Sequence, residues 1–235
     1  MIDGTCPGQP GKPRVLVYTY ENQWRHLSNL DARAAICNLN VTRGFKVDTS
    51  NDPRIMNATQ LANYDVVVFA VTSGIGIPVG LHPDFEAWAA HGGGIVGLHS
   101  ADSTEQAWDF YVKTMGAQFM THAPGLIPAT VRIVPENAHH PIVDGLVDFP
   151  ETDEWYFFSQ RPESFPGMDM LLAVDETTLP ADGPAKVGFH PIGWSHELYG
   201  GRTFFTAMGH NPADYSDPTF MEIVGRAIEW AAHQR

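Results

Sequence analysis

The sequence predicts an α/β fold, in which an open parallel sheet carries helices on both faces. Three observations predict this fold class. Apolar, strand-like runs alternate with helical segments through residues 14–115. From about residue 129 strand-like segments dominate, and the chain closes on a helical segment. Alternation of strands and helices is typical of a parallel sheet, and the later strands are expected to be antiparallel additions to it.

The first half of the chain predicts four strands and the helices that connect them. The strands are predicted over residues 14–20, 44–48, 64–70 and 92–98. The helices are predicted over residues 30–39, 84–91 and 103–115. Ser28 is the residue expected to cap the first helix. The third strand, YDVVVFA, is almost continuously apolar, which indicates burial on both faces of a parallel sheet.

The second half of the chain predicts mainly strands. They are predicted over residues 129–134, 154–158, 170–174, 187–196 and 202–207, with a last helix over residues 218–233. No internal repeat or low-complexity segment interrupts this pattern. We therefore expect one domain over residues 14–235 after a flexible lead-in of residues 1–13, which is rich in glycine and proline.

Composition narrows the class of partner. The chain has 235 residues, 43% of them hydrophobic and 17% charged, as in an ordinary globular protein with a full core. A formal net charge of −13 without a Lys/Arg cluster argues against nucleic acid and anionic membranes. No apolar run is long enough to span a membrane, and residues 1–13 lack the apolar core of a signal peptide. A cytoplasmic protein is expected, and assembly into a homo-oligomer is left open.

The two cysteines leave two interpretations. Cys6 lies in the predicted lead-in and Cys37 on the first predicted helix, so the two could pair. The favoured interpretation is two unpaired thiols, as is usual in a reducing compartment.

His99 is the most informative single residue. It follows the fourth predicted strand, in the sequence Gly97-Leu98-His99-Ser100, where a strand-to-helix elbow exposes its turn residue at the carboxyl edge of a parallel sheet. Nucleophilic enzymes with such an elbow place Ser or Cys at this position. An imidazole there suits a metal ligand or an acid/base group instead. Ser100 lies one residue too late for a serine nucleophile and is expected to contact substrate.

Further histidines also follow apolar runs. They are His26, His122, His196 and His210. His26 follows the first strand, so it could face the same crevice as His99; a histidine on a surface loop is the alternative, and it is favoured for His26 taken alone. His99, His196 and His210 are the predicted ligands of a divalent metal, with Zn²⁺, Mn²⁺ and Fe²⁺ as the candidate ions. No fixed-spacing metal motif and no phosphate-binding loop is present, so metal binding stays open and no nucleotide cofactor is expected.

Carboxylate and aromatic side chains occur together in two segments. Glu154, Trp155 and Tyr156 combine an acid with rings on which a sugar can stack, and Trp194 precedes His196. Trp155, Tyr156 and Trp194 are therefore expected to bind substrate together with His26. Packing of the same rings into the core is the alternative, and it is strong for Trp155.

These segments resemble the ThuA-like (trehalose utilisation) proteins over about residues 14–232. The segments that carry the resemblance are residues 25–28, 64–69, 92–100, 122, 153–156, 190–197 and 201–210. The resemblance implies a flavodoxin-like three-layer sandwich related to the class I glutamine amidotransferases. His99 then takes the position of their catalytic cysteine, and His210 that of their late histidine. Pro212 stands where their glutamate would be, so the fold carries over and glutamine hydrolysis does not.

The resemblance also implies carbohydrate processing, because ThuA-like proteins are associated with disaccharide catabolism beside oxidoreductases that make 3-keto-sugars. Our first hypothesis is an enzyme that isomerises, epimerises or eliminates from a keto-sugar. His99, His196 and His210 would hold the metal or the carbonyl, and Glu154 or His122 would move the proton. The second hypothesis is a non-catalytic carbohydrate- or protein-binding module. We favour the enzyme, because a binding module does not need so many imidazoles at strand ends.

Overall fold

The computed structural model describes residues 2, 4–6 and 11–233, and twelve strands occur in this part of the chain. The strands are β1 (Gly4–Thr5), β2 (Arg14–Tyr18), β3 (Lys46–Ser50), β4 (Val66–Ala70), β5 (Gly94–Leu98), β6 (Gln118–His122), β7 (Ile127–Ile133), β8 (Phe149–Asp153), β9 (Tyr156–Gln160), β10 (Asp169–Asp175), β11 (Pro191–His196) and β12 (Thr203–Thr206). The helices are α1 (Ser28–Arg43), α2 (Ala58–Leu61), α3 (His82–Ala90), α4 (Asp109–Met115) and α5 (Pro218–Ala231).

The centre of the main sheet is parallel. Its strands run in the order β3-β2-β4-β5-β12, each paired in parallel with its neighbours. Every residue of β4 and β5 is buried, because layers of helices cover both faces of the sheet. Helices α1 and α5 contact each other over β4 and β5, while α2 packs on α3. The predicted fold class, an α/β sandwich with a parallel sheet and antiparallel additions, is confirmed.

The antiparallel part extends the same sheet beyond β12. The order continues as β11-β10-β7-β8, and each of these pairs is antiparallel. Strands β6 and β9 form a separate antiparallel pair. Strand β12, which we predicted among the antiparallel additions, belongs to the parallel centre, because it lies beside β5. This position sends the segment after β12 to the edge that carries His99.

Several boundaries differ from the prediction for local reasons. Glu154 and Trp155 lie in the turn between β8 and β9 rather than in a strand. The helix predicted from residue 103 begins at Asp109, since a 3-10 helix over His99–Ser103 comes first. Ser28 is the first residue of α1 and makes no capping hydrogen bond, so that prediction is wrong.

The described part of the lead-in is attached to the domain. Gly4–Thr5 pairs with β3, and Cys6 forms a disulfide with Cys37 on α1. The prediction of unpaired thiols is therefore wrong, and residues 4–6 do not form a free lead-in; residues 1, 3 and 7–10 lie outside the described residues. Disulfides are typical of oxidising compartments, so this bond argues against the expected cytoplasmic location, which stays a prediction. Over the described ranges, no helix combines the length and the apolar composition that crossing a membrane requires.

Candidate functional site

His99 lies on a strained strand-to-helix elbow, as predicted. It follows β5 directly and opens the 3-10 helix His99–Ser103. Its φ angle of 53° is in the left-handed region, which costs a non-glycine residue about 1–3 kcal/mol. The neighbouring β-sheet and helices hold the residue there, because its side chain is completely buried. Backbone strain of this kind concentrates at functional sites.

The parallel sheet brings three histidines to one edge. His26 follows β2, His99 follows β5 and His210 follows β12, so all three lie beyond the carboxyl ends of parallel strands. The His26 ring contacts the rings of His99 and His210 edge-on, with centroid separations of 4.9 and 5.3 Å. Of the two interpretations of His26, the structure shows the one in which it lies at the sheet edge of His99.

The hydrogen bonds of His99 fix its tautomer. Its Nδ1–H donates to the carbonyl oxygen of Ala207 at 2.9 Å, so the lone pair lies on Nε2. The Tyr156 hydroxyl lies 2.9 Å from that Nε2 and donates to it. Burial, and next the nearby His26, hold the pKa of His99 well below its ordinary value. His99 is thus a neutral imidazole with an electron pair directed toward the other site residues.

Glu154 lies at the centre of the imidazoles. Its Oε2 is 3.0 Å from Nδ1 of His210, 3.5 Å from Nε2 of His122 and 3.7 Å from Nε2 of His99. Donation of this hydrogen bond to the Glu154 carboxylate raises the pKa of His210 above its ordinary value. The site therefore combines a neutral imidazole with one that readily carries a proton.

A second carboxylate, that of the buried Asp153, fixes the backbone beside Glu154 and His210. Asp153 accepts the backbone N–H of Glu154 at 2.7 Å and that of Gly209 at 2.6 Å. Gly209 has a φ angle of 119°, and a Cβ there would lie 2.6 Å from the Tyr215 hydroxyl, so glycine is required. Burial raises the pKa of Asp153, and burial together with the neighbouring Asp153 raises that of Asp214.

A pocket of about 260 Å³ opens onto these groups. The residues of its wall that were predicted as site residues are His26, Ser100, His122, Glu154, Tyr156 and His210. The residues of its wall that sequence reasoning missed are Trp24, Arg25, Ser103 and Phe119. Trp24 and Arg25 directly precede His26, so their position in the loop after β2 was the available signal. A larger cavity, of about 480 Å³, lies in the antiparallel part beside Arg132 and His190 and contains none of the predicted site residues.

Three predicted site residues lie elsewhere. Strand β11 runs antiparallel to β12 and pairs His196 with Thr203, the first residue of β12, so His196 lies at the opposite edge of the sheet. Both of its ring nitrogens are engaged, Nε2–H donating to the Thr114 carbonyl at 2.7 Å and Nδ1 accepting the Leu198 N–H at 3.2 Å. The predicted His99–His196–His210 metal triad is therefore wrong for His196.

The two tryptophans are core residues. Trp194 is fully buried, packs against Phe205 and donates its Nε1–H to the Met115 carbonyl at 2.8 Å. Trp155 is also buried and does not line the pocket. Their predicted contact with substrate is wrong, because both side chains are buried in the core and neither lines the pocket.

One known family matches almost the whole chain. A family model described as ThuA, trehalose utilisation, matches residues 14–231. The chain belongs to the ThuA family. This membership links the protein to carbohydrate metabolism.

Solved structures share the fold of this ThuA-family protein. A ThuA-like protein of Bacteroides uniformis superposes with a TM-score of 0.79 at 23% identity, covering 96% of this chain and 94% of that chain. One of Parabacteroides merdae gives 0.71 at 20% identity, covering 94% and 90%. A cytoplasmic protein of Salmonella typhimurium gives 0.65 at 10% identity, covering 93% and 99%. At these identities the likeness shows the fold alone. No curated protein matches the sequence.

Proposed function

We propose that this ThuA-family protein is an enzyme that moves a proton next to the carbonyl group of an oxidised (3-keto) sugar or glycoside. The observation that carries the proposal is the position of Glu154. One of its oxygens lies within 3.0–3.7 Å of three imidazole nitrogens beside an open pocket. Clustered titratable groups with unlike pKa values are the usual basis of proton transfer.

The pocket supports a small, ring-shaped substrate. Its volume of about 260 Å³ is below the range of about 300–1,000 Å³ typical of larger ligands, so it suits one sugar ring. Trp24, Phe119 and Tyr156 supply aromatic faces in the wall, against which apolar C–H groups of a sugar can pack. The family's link with trehalose utilisation supports a carbohydrate as the ligand.

The reaction begins with removal of the acidic proton beside the ketone. His122 is suited to take it, because its Nδ1–H donates to the Ala123 carbonyl at 2.8 Å and leaves the Nε2 lone pair free; Glu154 is the other candidate. The electron pair of the C–H bond then forms the enediolate. Its negative oxygen is stabilised by the protonated His210 and by the Tyr156 hydroxyl.

The same enediolate leads to each of the predicted products. Return of the proton to the former carbonyl carbon, with the hydroxyl proton passing from one oxygen to the other, gives an isomer. Return to the opposite face of the original carbon gives an epimer. Expulsion of the glycosidic oxygen as a protonated alcohol gives an elimination product. In all three cases the base that took the proton is regenerated, so no external oxidant or reductant is required.

Proton exchange in deuterated water tests this proposal. The enzyme is incubated with 3-keto-glucose or a 3-keto-glucoside, and NMR follows deuterium at the carbons beside the ketone. We expect exchange well above the buffer rate, reduced about 10²–10⁴-fold in Glu154→Gln or His122→Gln. His139→Gln is the control, because that side chain is 99% exposed on a distant loop. Sugar binding with exchange at the buffer rate would instead support the non-catalytic binding module.

A further inference from the structure

We infer that His26, His99, His210 and Glu154 form a binding site for one divalent metal ion. The inference deepens the proposed function, since the ion would lie beside the substrate carbonyl in the same pocket. It replaces the His196 ligand expected from the sequence by His26, which follows a different strand.

The spacing of the ligand atoms matches a coordination sphere. Nε2 of His99 and Nδ1 of His210 are 3.1 Å apart, and Oε2 of Glu154 lies 3.7 and 3.0 Å from them. Ligands about 2.0–2.2 Å from a tetrahedral zinc ion are about 3.3–3.6 Å from one another. His26 offers a nitrogen within 4.8 Å of those on His99 and His210. His26, His99 and His210 thus form one group of candidate ligands, and Glu154 lies against two of them.

Outer hydrogen bonds already orient two of the imidazoles as metal ligands. Nδ1–H of His99 donates to the Ala207 carbonyl, and Nδ1 of His26 lies 3.1 Å from a carboxylate oxygen of Glu21. The same Glu21 oxygen accepts the backbone N–H of His26 at 2.9 Å, which fixes the loop. Metal-binding histidines characteristically donate a hydrogen bond from their second ring N–H to a carbonyl or carboxylate in this way. In each ring Nε2 is therefore the nitrogen left to bind a metal, although that of His99 accepts the Tyr156 hydroxyl, which an ion would displace.

Protons alone do not satisfy the contacts at the centre of the site. His99 has one lone pair on Nε2, yet both the Tyr156 hydroxyl and Nδ1 of His210 approach it, at 2.9 and 3.1 Å. Nδ1 of His210 can carry one proton, yet it faces both His99 and the Glu154 carboxylate. A cation in place of the His210 proton would accept the lone pairs of His99, His210 and Glu154 together, and would leave the Tyr156 hydroxyl to donate to a substrate oxygen.

The ligand set selects the class of ion. Three imidazoles and one carboxylate, without a thiolate, suit Zn²⁺, Fe²⁺ or Mn²⁺ rather than Cu⁺ or Ca²⁺. Zn²⁺ should bind more tightly than Mn²⁺ at equal availability. His122 lies outside the set, at 3.5 Å from Glu154, and stays free to act on the proton. When bound, the ion would take the place of the His210 proton, would polarise the substrate carbonyl as a Lewis acid and would leave His122, rather than Glu154, as the base.

Direct metal titration tests the inference without reference to activity. The purified full-length protein is stripped with EDTA and titrated with Zn²⁺ by calorimetry and with Co²⁺ by visible absorption. We expect one equivalent per chain and the intense visible bands of low-coordinate Co²⁺. His26→Gln and His210→Gln should bind at least about 100-fold more weakly, and Glu21→Gln about 10–100-fold more weakly. His122→Gln and His139→Gln should bind as the unaltered protein does.

Folding is checked separately, because His99 is buried. His26→Gln is the principal variant, since His26 lies on a loop, and its circular dichroism should match that of the unaltered protein. Zn²⁺ should raise the Tm of the unaltered protein and leave that of His26→Gln unchanged.

No stoichiometric binding by the folded protein, or equal binding by His26→Gln, would overturn the metal site. Deuterium exchange by the stripped protein would overturn it as the active ion while keeping the proposed function. Stoichiometric metal binding without exchange would keep the site and overturn the function.

Discussion

Asp153 accepts the backbone N–H of Gly209 at 2.6 Å, and this contact joins the segment that carries His210 to the turn that carries Glu154. Asp153 contacts the backbone of both segments. Its second oxygen accepts the Glu154 N–H at 2.7 Å, so one carboxylate sets the separation of the acid and the histidine. Charge-assisted hydrogen bonds of this length are about twice as strong as neutral ones.

Replacing Asp153 by Asn should disturb the positions of Glu154 and His210 while the protein still folds. The amide keeps the volume but presents one oxygen to two N–H donors, so one bond is lost. We expect kcat for proton exchange to fall about 10–100-fold, as is common for groups that orient site residues. KM should change little, because Asp153 does not line the pocket.

Asp214→Asn is the matched control for this change. Burial and Asp153 raise the pKa of Asp214, so its carboxyl group is readily protonated and Asn keeps the size and neutrality of that form. Its effect on kcat should be several-fold smaller than that of Asp153→Asn. Equal losses in the two variants, or a loss confined to thermal stability, would contradict the orienting role of Asp153.

The elbow predicts a difference between two variants that both lack the imidazole. His99 has a φ angle of 53°, which Asn tolerates and a β-branched residue does not. We expect His99→Val to be less stable than His99→Asn by about 1–3 kcal/mol in urea unfolding. Both should lose exchange activity. Similar stabilities for the two variants would show that the backbone relaxes and that the elbow stores no strain.

The sequence predicted the elements that depend on local pattern. Apolar runs placed β2, β4 and β5 within a few residues, and the elbow placed His99 correctly. The error at His196 has a topological cause, because periodicity indicates a strand but does not reveal its direction in the sheet. Strand β11 runs opposite to β12, and this reverses the edge at which its last residue lies.

Long-range contacts explain the other omissions. The Asp153–Gly209 bond joins residues 56 positions apart, and the Cys6–Cys37 bond joins residues 31 apart. Neither pairing follows from spacing, since it depends on how strands and helices pack. Trp24 and Arg25 were missed because they lie in a loop, where the sequence has no regular pattern that would indicate which side chains face a ligand.

Trp24 should contribute to substrate affinity rather than to chemistry. Its side chain is 56% exposed in the pocket wall, while its backbone exchanges hydrogen bonds of 3.0 and 2.7 Å with Ser73. A fixed loop that presents an exposed indole is preorganised for packing on a sugar ring. Trp24→Ala should raise KM about three- to tenfold at unchanged kcat, given about 0.5–1.5 kcal/mol per aromatic contact.

Trp24→Phe and Leu27→Ala are the controls for this prediction. Phe keeps an aromatic face and should recover most of the affinity. Leu27 is 88% exposed and does not line the pocket, so its removal should leave KM unchanged. A fall in kcat for Trp24→Ala at constant KM would place Trp24 in the chemical step instead.

The Cys6–Cys37 disulfide should stabilise the native state. It closes a segment of 31 residues and holds β1 beside β3, so about 2–4 kcal/mol is expected from the restricted unfolded chain. Reductant should lower the Tm of the unaltered protein to that of the Cys6→Ser/Cys37→Ser double variant, whose own Tm should not respond. Two titratable thiols in the untreated, denatured protein would contradict the bond.

His196 predicts loss of stability in acid. Its neutral form is fully hydrogen-bonded, with Nδ1 accepting the Leu198 N–H, and burial holds its pKa below the ordinary value. Well above pH about 6.5 His196 is neutral in both the folded and the unfolded state, and the full stability is present. As the pH falls from about 6.5 toward the lowered native pKa, the unfolded state binds a proton that the native state excludes, so stability falls.

Urea unfolding at several pH values between about 7.5 and 5 measures this effect. His196→Gln keeps a donor for Thr114 and an acceptor for Leu198 but does not titrate, so its stability should fall less steeply with acid. His139→Gln removes an exposed histidine and should retain the full pH dependence. The slope of His196→Gln should be reduced rather than abolished, because burial also lowers the pKa of His99 and His140. An unchanged slope in His196→Gln would show that His196 binds a proton equally well in the folded and unfolded states. It would contradict the exclusion of that proton by the hydrogen bond from Leu198 to Nδ1.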